Sequence, residues 1–193
     1  MERQRCRWAQ SPEIMTRYHD EEWGVPVRDD DRLFEFLVLE TFQAGLSWLT
    51  ILKRREGMRE ALDGFDPTTV ARYDEARLER LLQDERLIRN RAKVHALVAN
   101  ANAFLDVQAK HGTFAAYMWD FVDGVPVANE WAAMSDVPAT TPLAERVSKD
   151  LKKRGFKFVG PTIVYAHMQA TGMVNDHLAD CFRYAEVHAE GSE

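Results

Sequence analysis

Four residues at the two ends of the chain have the types and spacing to bind a metal: Cys6 and His19 near the start, His177 and Cys181 near the finish. They form a Cys2His2 set, the ligand composition of a closed zinc site, and they include both cysteines of the chain. His177 and Cys181 are four residues apart, which on a helix puts them on one face, able to share an ion. Cys6-Arg7-Trp8 and Tyr18-His19-Asp20 would bring the other pair from an irregular N-terminal segment. With all four positions filled by protein there is no room for an activated water, so a single Zn2+ per chain would be structural. It would clip the termini together, and the chemistry would lie elsewhere. The competing reading is two unrelated buried cysteines and two surface histidines.

A second kind of chemistry gathers around Glu40. On a helix it falls on the face of Leu33, Phe36 and Leu37, at spacings of seven, four and three. A carboxylate there sits either at a solvated helix end or deliberately inside. Gln43, Ala44, Gly45, Leu46, Ser47 and Trp48 follow closely, and the N-terminal segment adds Trp8, Tyr18 and Trp23. Each aromatic taken singly reads as packing. A carboxylate beside several of them, however, suits a cationic planar ligand through charge pairing, stacking and cation–π attraction.

Three clusters carry positive charge. Lys53-Arg54-Arg55 reads as a solvated face. Arg86–Lys93 holds Arg86, Arg89, Arg91 and Lys93 with no acid, and Lys149–Lys157 holds five basic residues against Asp150. The last runs into Gly155-Phe156-Lys157-Phe158-Val159-Gly160-Pro161-Thr162, a hairpin between two helices with Gly160 at the start of the second. Backbone N–H groups at a helix start are natural phosphate ligands, so this element fits either an ordinary helical turn or a grip on a DNA backbone.

The elements that must position these groups read as almost entirely helical. Asp29-Asp30-Asp31 can cap a helix through Leu33–Leu39, with acids at its positive end. Gly45 breaks it, and Ser47 can cap the next, through Trp48, Ile51, Leu52 and onward. Asp66-Pro67 places an N-cap and an N1 proline. Leu78, Leu81 and Leu82 form a further stripe, and a longer helix runs from about Ala92 to Lys110. Segment 123–142 carries three of the seven prolines and reads as a long connection with at most one short helical turn. No stretch holds the period-two alternation that a sheet requires.

The chain's 193 residues suffice for one domain around a sizeable core. A hydrophobic fraction of 46% and a charged fraction of 29% describe an ordinary globular protein. There is no run of about 18 apolar residues, hence no membrane span. The basic N-terminus lacks an apolar core of the kind that marks a signal peptide. Two cysteines without an export signal point to a reducing cytoplasm, where metal ligation outcompetes a disulfide. The net charge of −6 argues against nucleic acid, but the local clusters outweigh the sum.

Four runs now carry a family resemblance: Tyr18-His19-Asp20-Glu21-Glu22-Trp23-Gly24-Val25-Pro26, Phe42-Gln43-Ala44-Gly45-Leu46-Ser47-Trp48, Lys152–Thr162 with the hairpin, and Met173-Val174-Asn175-Asp176-His177. In this order, from Cys6 to Cys181, the chain resembles the 3-methyladenine DNA glycosylase I family. The resemblance implies an all-α, helix-hairpin-helix glycosylase fold in one globular unit. Its helical core would span about residues 30–172, and segments 1–28 and 173–193 would form a zinc-clipped lobe on Cys6, His19, His177 and Cys181. It also implies a monofunctional N-glycosylase in which Glu40 and Tyr18 contact an extruded base, Trp48 stacks on it, and Trp8 and Trp23 complete the pocket. Leu46 would plug the gap left in the duplex. Lys153, Lys157, Phe158 and Gly160 would meet double-stranded alkylated DNA without reading its sequence, the protein acting as a monomer in the cytoplasm.

Two positions depart from the pattern: Thr41 stands where the family often has glycine, and Met15 where some relatives have an aromatic. Many helix-hairpin-helix glycosylases place a catalytic aspartate where this chain has Asn175, and no lysine stands where strand-cutting relatives carry one. A base methylated at N3 is already cationic and needs no protonation to leave, which makes the missing acid tolerable. Two rivals from other classes are a helix-hairpin-helix DNA-binding protein without activity and a zinc hydrolase, the latter requiring an open three-ligand site.

Overall fold

Short polar side chains open most of the helices in the structure, a computed structural model that describes residues 3–190. The outermost residues of the terminal segments, 1–2 and 191–193, lie outside it. Asp29, Ser47, Asp66, Asp74, Asn90, Thr113 and Thr141 each accept a backbone N–H of the first turn that follows, satisfying donors that a helix start leaves orphaned. In chain order the elements are α1 Glu13–Glu21, α2 Asp30–Gln43, α3 Trp48–Leu52, α4 Arg55–Ala61, α5 Pro67–Val70, α6 Glu75–Gln83, α7 Arg91–His111, α8 Phe114–Asp120, β1 Val127–Ala128, α9 Pro142–Lys153, α10 Pro161–Ala170, β2 Val174–Asn175 and α11 Phe182–Glu190. The protein is predominantly helical, as expected.

α2 runs through the middle. Every residue from Leu33 to Phe42 is buried, so its sequence lacks the polar face of a surface helix. The main apolar cluster joins it to α7, α8, α9 and α10 through Phe34, Phe104, Phe114, Leu151 and Met168. A second cluster gathers residues from both ends of the chain: Cys6, Tyr18 and Trp23 pack with Leu178 and Cys181 against Phe36 and Ala170. Close backbone approach makes this possible at Gly172, where φ is +70° and a Cβ would lie 2.5 Å from the Val25 carbonyl carbon. Only glycine fits there.

The structure corrects several expectations. Tyr18 and His19 sit on a regular helix, α1, rather than in an irregular segment. His177 and Cys181 are not helical: they flank a turn closed by the Cys181 N–H on the Leu178 carbonyl at 2.8 Å. A small parallel ladder exists, Val127 opposite Val174 and Ala128 opposite Asn175, too short to leave a period-two signal. The helix capped by Ser47 stops at Leu52, and the connection before α9 contains no helix.

Two of the basic clusters also change character. Arg55 is buried, paired with Glu35 at 2.8 Å and Glu22 at 2.8 Å. In the second cluster Arg86 pairs with Asp84 and Arg91 with Glu79, while Lys93 is turned inward.

Candidate active site and metal centre

α2 buries two glutamates, and their surroundings differ. Glu35 is met by three arginines, Arg32, Arg55 and Arg59. Glu40, 3% exposed, has no such partner, and its Oε2 accepts no hydrogen bond among the described residues. Burial therefore pushes the Glu40 carboxyl up to about 8, because an unpaired charge in an apolar surround favours the neutral form. Glu40 reaches a cavity of about 340 Å³ walled by Trp8, Tyr18, Trp23 and Trp48. All five predicted pocket residues thus line one space. The Tyr18 and Trp48 rings stand 5.3 Å apart and Trp8 and Trp23 5.1 Å apart, and the indole N–H of Trp48 is buried without a partner among the described residues. Burial, then the nearby Glu40 charge, holds the Tyr18 hydroxyl well above its ordinary value, so it is a donor throughout the useful pH range.

The remaining wall comes partly from residues that sequence reasoning missed. Met134 and Val137 reach in from the connection before α9, and Ala166 and Gln169 from α10. Gln169 donates to Asp176 at 2.7 Å, and this buried carboxylate also accepts from Tyr165, Asn129 at 2.7 Å and Trp131 at 2.8 Å. The Gln169 amide therefore has its nitrogen turned to Asp176. The only available signal was Asp176 inside the Val174–His177 run. Of the two departures, Met15 lines the cavity, whereas Thr41 is buried and does not. Asn175 also lies away from it, its amide bonded to the Tyr184 carbonyl and the His177 N–H.

Beyond Glu40 the α2–α3 loop turns at Gly45 (φ +78°) and leaves Leu46 39% exposed. Between α9 and α10 the hairpin turns at Gly155 and exposes Lys157 and Phe158, with Gly160 as the N-cap of α10. Lys153 is also exposed on the last turn of α9, whereas Arg154 is tied to Asp150 at 2.6 Å.

Cys6, His19, His177 and Cys181 converge, all buried, with ligand atoms within 4.8 Å of one another. The His19 Nε2 and His177 Nδ1 atoms are 3.2 Å apart, and the nitrogen–sulfur separations run from 3.4 to 3.8 Å. A tetrahedral zinc ion needs about 3.3 Å between nitrogens and about 3.6 Å between nitrogen and sulfur, from its usual bond lengths. The opposite ring nitrogens are already used: His19 Nδ1 faces Asp20 at 2.8 Å, itself held by Arg5, and His177 Nε2 faces the Trp23 carbonyl at 2.9 Å. In neutral rings those nitrogens carry the protons, so two lone pairs point at each other. A cation between them resolves that conflict, and the carboxylate and carbonyl behind the rings are the usual outer partners of metal-bound histidine. The donor set fits the ion.

An aromatic cleft over a buried acid, beside an exposed apolar tip and a lysine-bearing hairpin, defines an enzyme suited to a single base drawn out of nucleic acid. Comparison with known proteins agrees with this class of enzyme. The chain belongs to the methyladenine glycosylase family, whose model matches residues 8–184. It is 45% identical to DNA-3-methyladenine glycosylase 1 of Escherichia coli K12 over 181 residues, covering 94% of this chain and 97% of that one. A crystal structure of 3-methyladenine DNA glycosylase I superposes with a TM-score of 0.90 at 47% identity, over 93% of this chain and 98% of that one. A tyrosine-to-phenylalanine variant of such an enzyme, solved in complex with 3-methyladenine, superposes with a TM-score of 0.89 at 36% identity, over 92% and 96%.

Proposed function

We propose that the protein is a DNA-repair N-glycosylase that extrudes 3-methyladenine from alkylated duplex DNA and hydrolyses its glycosidic bond without cutting the strand. The observation that carries this reading is Glu40: a buried carboxylate under aromatic walls, with an oxygen that accepts no hydrogen bond and no cationic partner among the described residues. An N3-methylated adenine attached to sugar is cationic. It supplies the missing charge, so the pocket rewards the lesion over the large excess of neutral adenine. Entry of the cation favours the ionised carboxyl, so the Glu40 proton passes to solvent water, and the resulting anion accepts hydrogen bonds from the exocyclic amino edge. The Tyr18 hydroxyl donates to the base and the Trp48 ring supplies the stacking face. Trp8 and Trp23 close the other side.

The bond between base and sugar then breaks with its electron pair going to the base, which leaves as neutral 3-methyladenine. Water adds to the sugar carbon and loses a proton. No acid has to protonate the leaving group, in keeping with Asn175 lying away from the cavity. No lysine lines the cavity among the described residues, so no amine is placed to form the Schiff base that precedes strand cleavage.

DNA is held through the α9–hairpin–α10 unit, a helix-hairpin-helix grip in which Lys153, Lys157, Phe158 and the Gly160 end of α10 meet the phosphate backbone. Such contacts carry no sequence information, and binding weakens with added salt. Leu46 fills the gap left by the extruded nucleotide. One Zn2+ per chain, held by Cys6, His19, His177 and Cys181, joins the terminal segments and takes no part in the reaction. The enzyme acts as a monomer in the cytoplasm. Base release from methylated duplex DNA tests the reading. The protein should free 3-methyladenine and leave the strand intact until alkali is added, whereas a DNA-binding protein without activity would only shift the DNA in a gel.

A further inference from the structure

α7 touches both loops that the proposed function assigns to DNA, and it does so from one face. Lys93, only 5% exposed, sends its ammonium group to the Phe42 carbonyl at 2.9 Å and the Ala44 carbonyl at 2.6 Å. These carbonyls belong to the last turn of α2 and to the first residue of the loop that presents Leu46. The Gln43 carbonyl between them takes the Leu46 N–H at 2.6 Å, so the turn behind the leucine is closed on itself and anchored from outside. Seven residues further along, Asn100, 1% exposed, clamps the hairpin. Its Oδ1 accepts the Lys157 N–H at 2.7 Å and its Nδ2 donates to the Lys157 carbonyl at 3.1 Å. Ser148 holds the other side by donating to the Val159 carbonyl at 2.6 Å. Between these anchors Phe158 adopts φ +55°, a conformation that costs energy for any residue with a side chain and persists only where its neighbours enforce it.

Residues 93 and 100 are two helical turns apart, about 10 Å along the axis. We infer that α7 is the strut that fixes the distance between the Leu46 loop and the backbone-gripping hairpin, with Lys93 and Asn100 as the positioning residues. Extrusion of a nucleotide requires that an apolar tip enter the stack at a set distance from the phosphates being held. Loops free to move independently would hold DNA without opening it. Lys93, the one member of the Arg86–Lys93 cluster that is turned inward, is therefore spent on geometry rather than on phosphate. The inference rests on the reading of these two loops as DNA-handling elements, and the test separates the two.

Single-turnover release of 3-methyladenine is measured for Lys93→Met and Asn100→Ala, alone and combined, from a fully paired duplex and from DNA with the lesion unpaired. Binding of the free base is measured alongside. Each single variant is expected to slow release from the paired duplex at least tenfold, to lose much less on the unpaired lesion, and to bind free base within about twofold of the parent. The double variant should be slower by less than the product of the single effects, because both act on one step. Release at the parent rate from paired DNA, or an equal loss in free-base binding, would overturn the inference. Leu46→Ala and Lys157→Ala serve as controls. If these also leave paired-duplex release unchanged, the assignment of the loops fails; if they slow it while the α7 variants do not, the strut alone fails. Should Lys93→Met not fold, Asn100→Asp, which keeps the side-chain volume and removes the donor to Lys157, decides in its place.

Discussion

At the residue scale the informative contrast is between two glutamates five positions apart on α2. Three arginines pair with Glu35, while Glu40 is left without a counter-charge and burial pushes its carboxyl up to about 8. That difference has a measurable sign. Its ordinary value is 4.5, so the neutral burial of Glu40 contributes fully below that pH and is progressively lost as pH rises through 8. Glu40→Gln removes the titration. Its melting temperature should match the parent near pH 4.5 and exceed it increasingly up to pH 8, by about 1.4 kcal/mol of stability per pH unit. A constant difference across this range would show that Glu40 does not titrate in the fold. The same variant should lose about tenfold to a hundredfold in affinity for free 3-methyladenine, the worth of one charge-assisted hydrogen bond of about 1.5–3 kcal/mol, while Trp48→Ala should weaken all bases more evenly. Excision of 3-methyladenine at the parent rate by Glu40→Gln would leave Glu40 without the role assigned to it. The position of Glu40 on an apolar stripe made it legible in the sequence; the absence of a counter-charge was not, because Arg32, Arg55 and Arg59 reach Glu35 from other turns and another helix.

At the scale of elements, the helices with strong caps and apolar stripes were legible, and the ones lacking them were not. α1 follows Pro12, which offers no side-chain cap, and spans nine residues, and its Tyr18 and His19 drew attention as chemistry rather than as a helical face. The connection before α9 was legible as a loop, but its function as a pocket wall depends on long-range bonds. Asn129 and Trp131 from that connection meet Tyr165 and Gln169 of α10 on the Asp176 carboxylate, which is 1% exposed. Asp176→Ala would strand four donors. Breaking a buried charge-bonded network of this kind costs about 3–5 kcal/mol, and chemical denaturation should register it together with weaker base binding, since Gln169 loses its anchor. A denaturation midpoint equal to the parent's would mean that water replaces the carboxylate without loss.

Over the whole molecule, the pocket and the candidate metal site share parts. Tyr18 faces the cavity while His19, the next residue, faces the ligand cluster; Trp23 lines the cavity while its carbonyl fixes His177. The four ligand types were legible from composition and spacing, although the helical geometry invoked for His177 and Cys181 was replaced by a turn. If zinc occupies the cluster, purified protein should carry about one ion per chain, and His177→Ala should lower stability by more than about 3 kcal/mol, because binding at a closed site is folding free energy. Release of 3-methyladenine by the fraction still folded should fall far less. Protein prepared without chelators and free of zinc would rule the ion out.

The burial of that cluster has a further consequence. Cys6 is 0% and Cys181 3% exposed, and they are the chain's two cysteines. Reagents that methylate adenine also methylate thiolates, which are the stronger nucleophiles. A repair enzyme is needed most when such reagents are abundant, so its own sulfurs are exposed to the hazard it answers. Here both are shielded inside the fold, so the protein should outlast the insult that creates its substrate. Brief treatment of the native protein with methyl methanesulfonate should leave both cysteines unmodified by mass spectrometry, while the same treatment in denaturant should methylate both. Rapid modification of the native protein would show that the sulfurs are reachable after all.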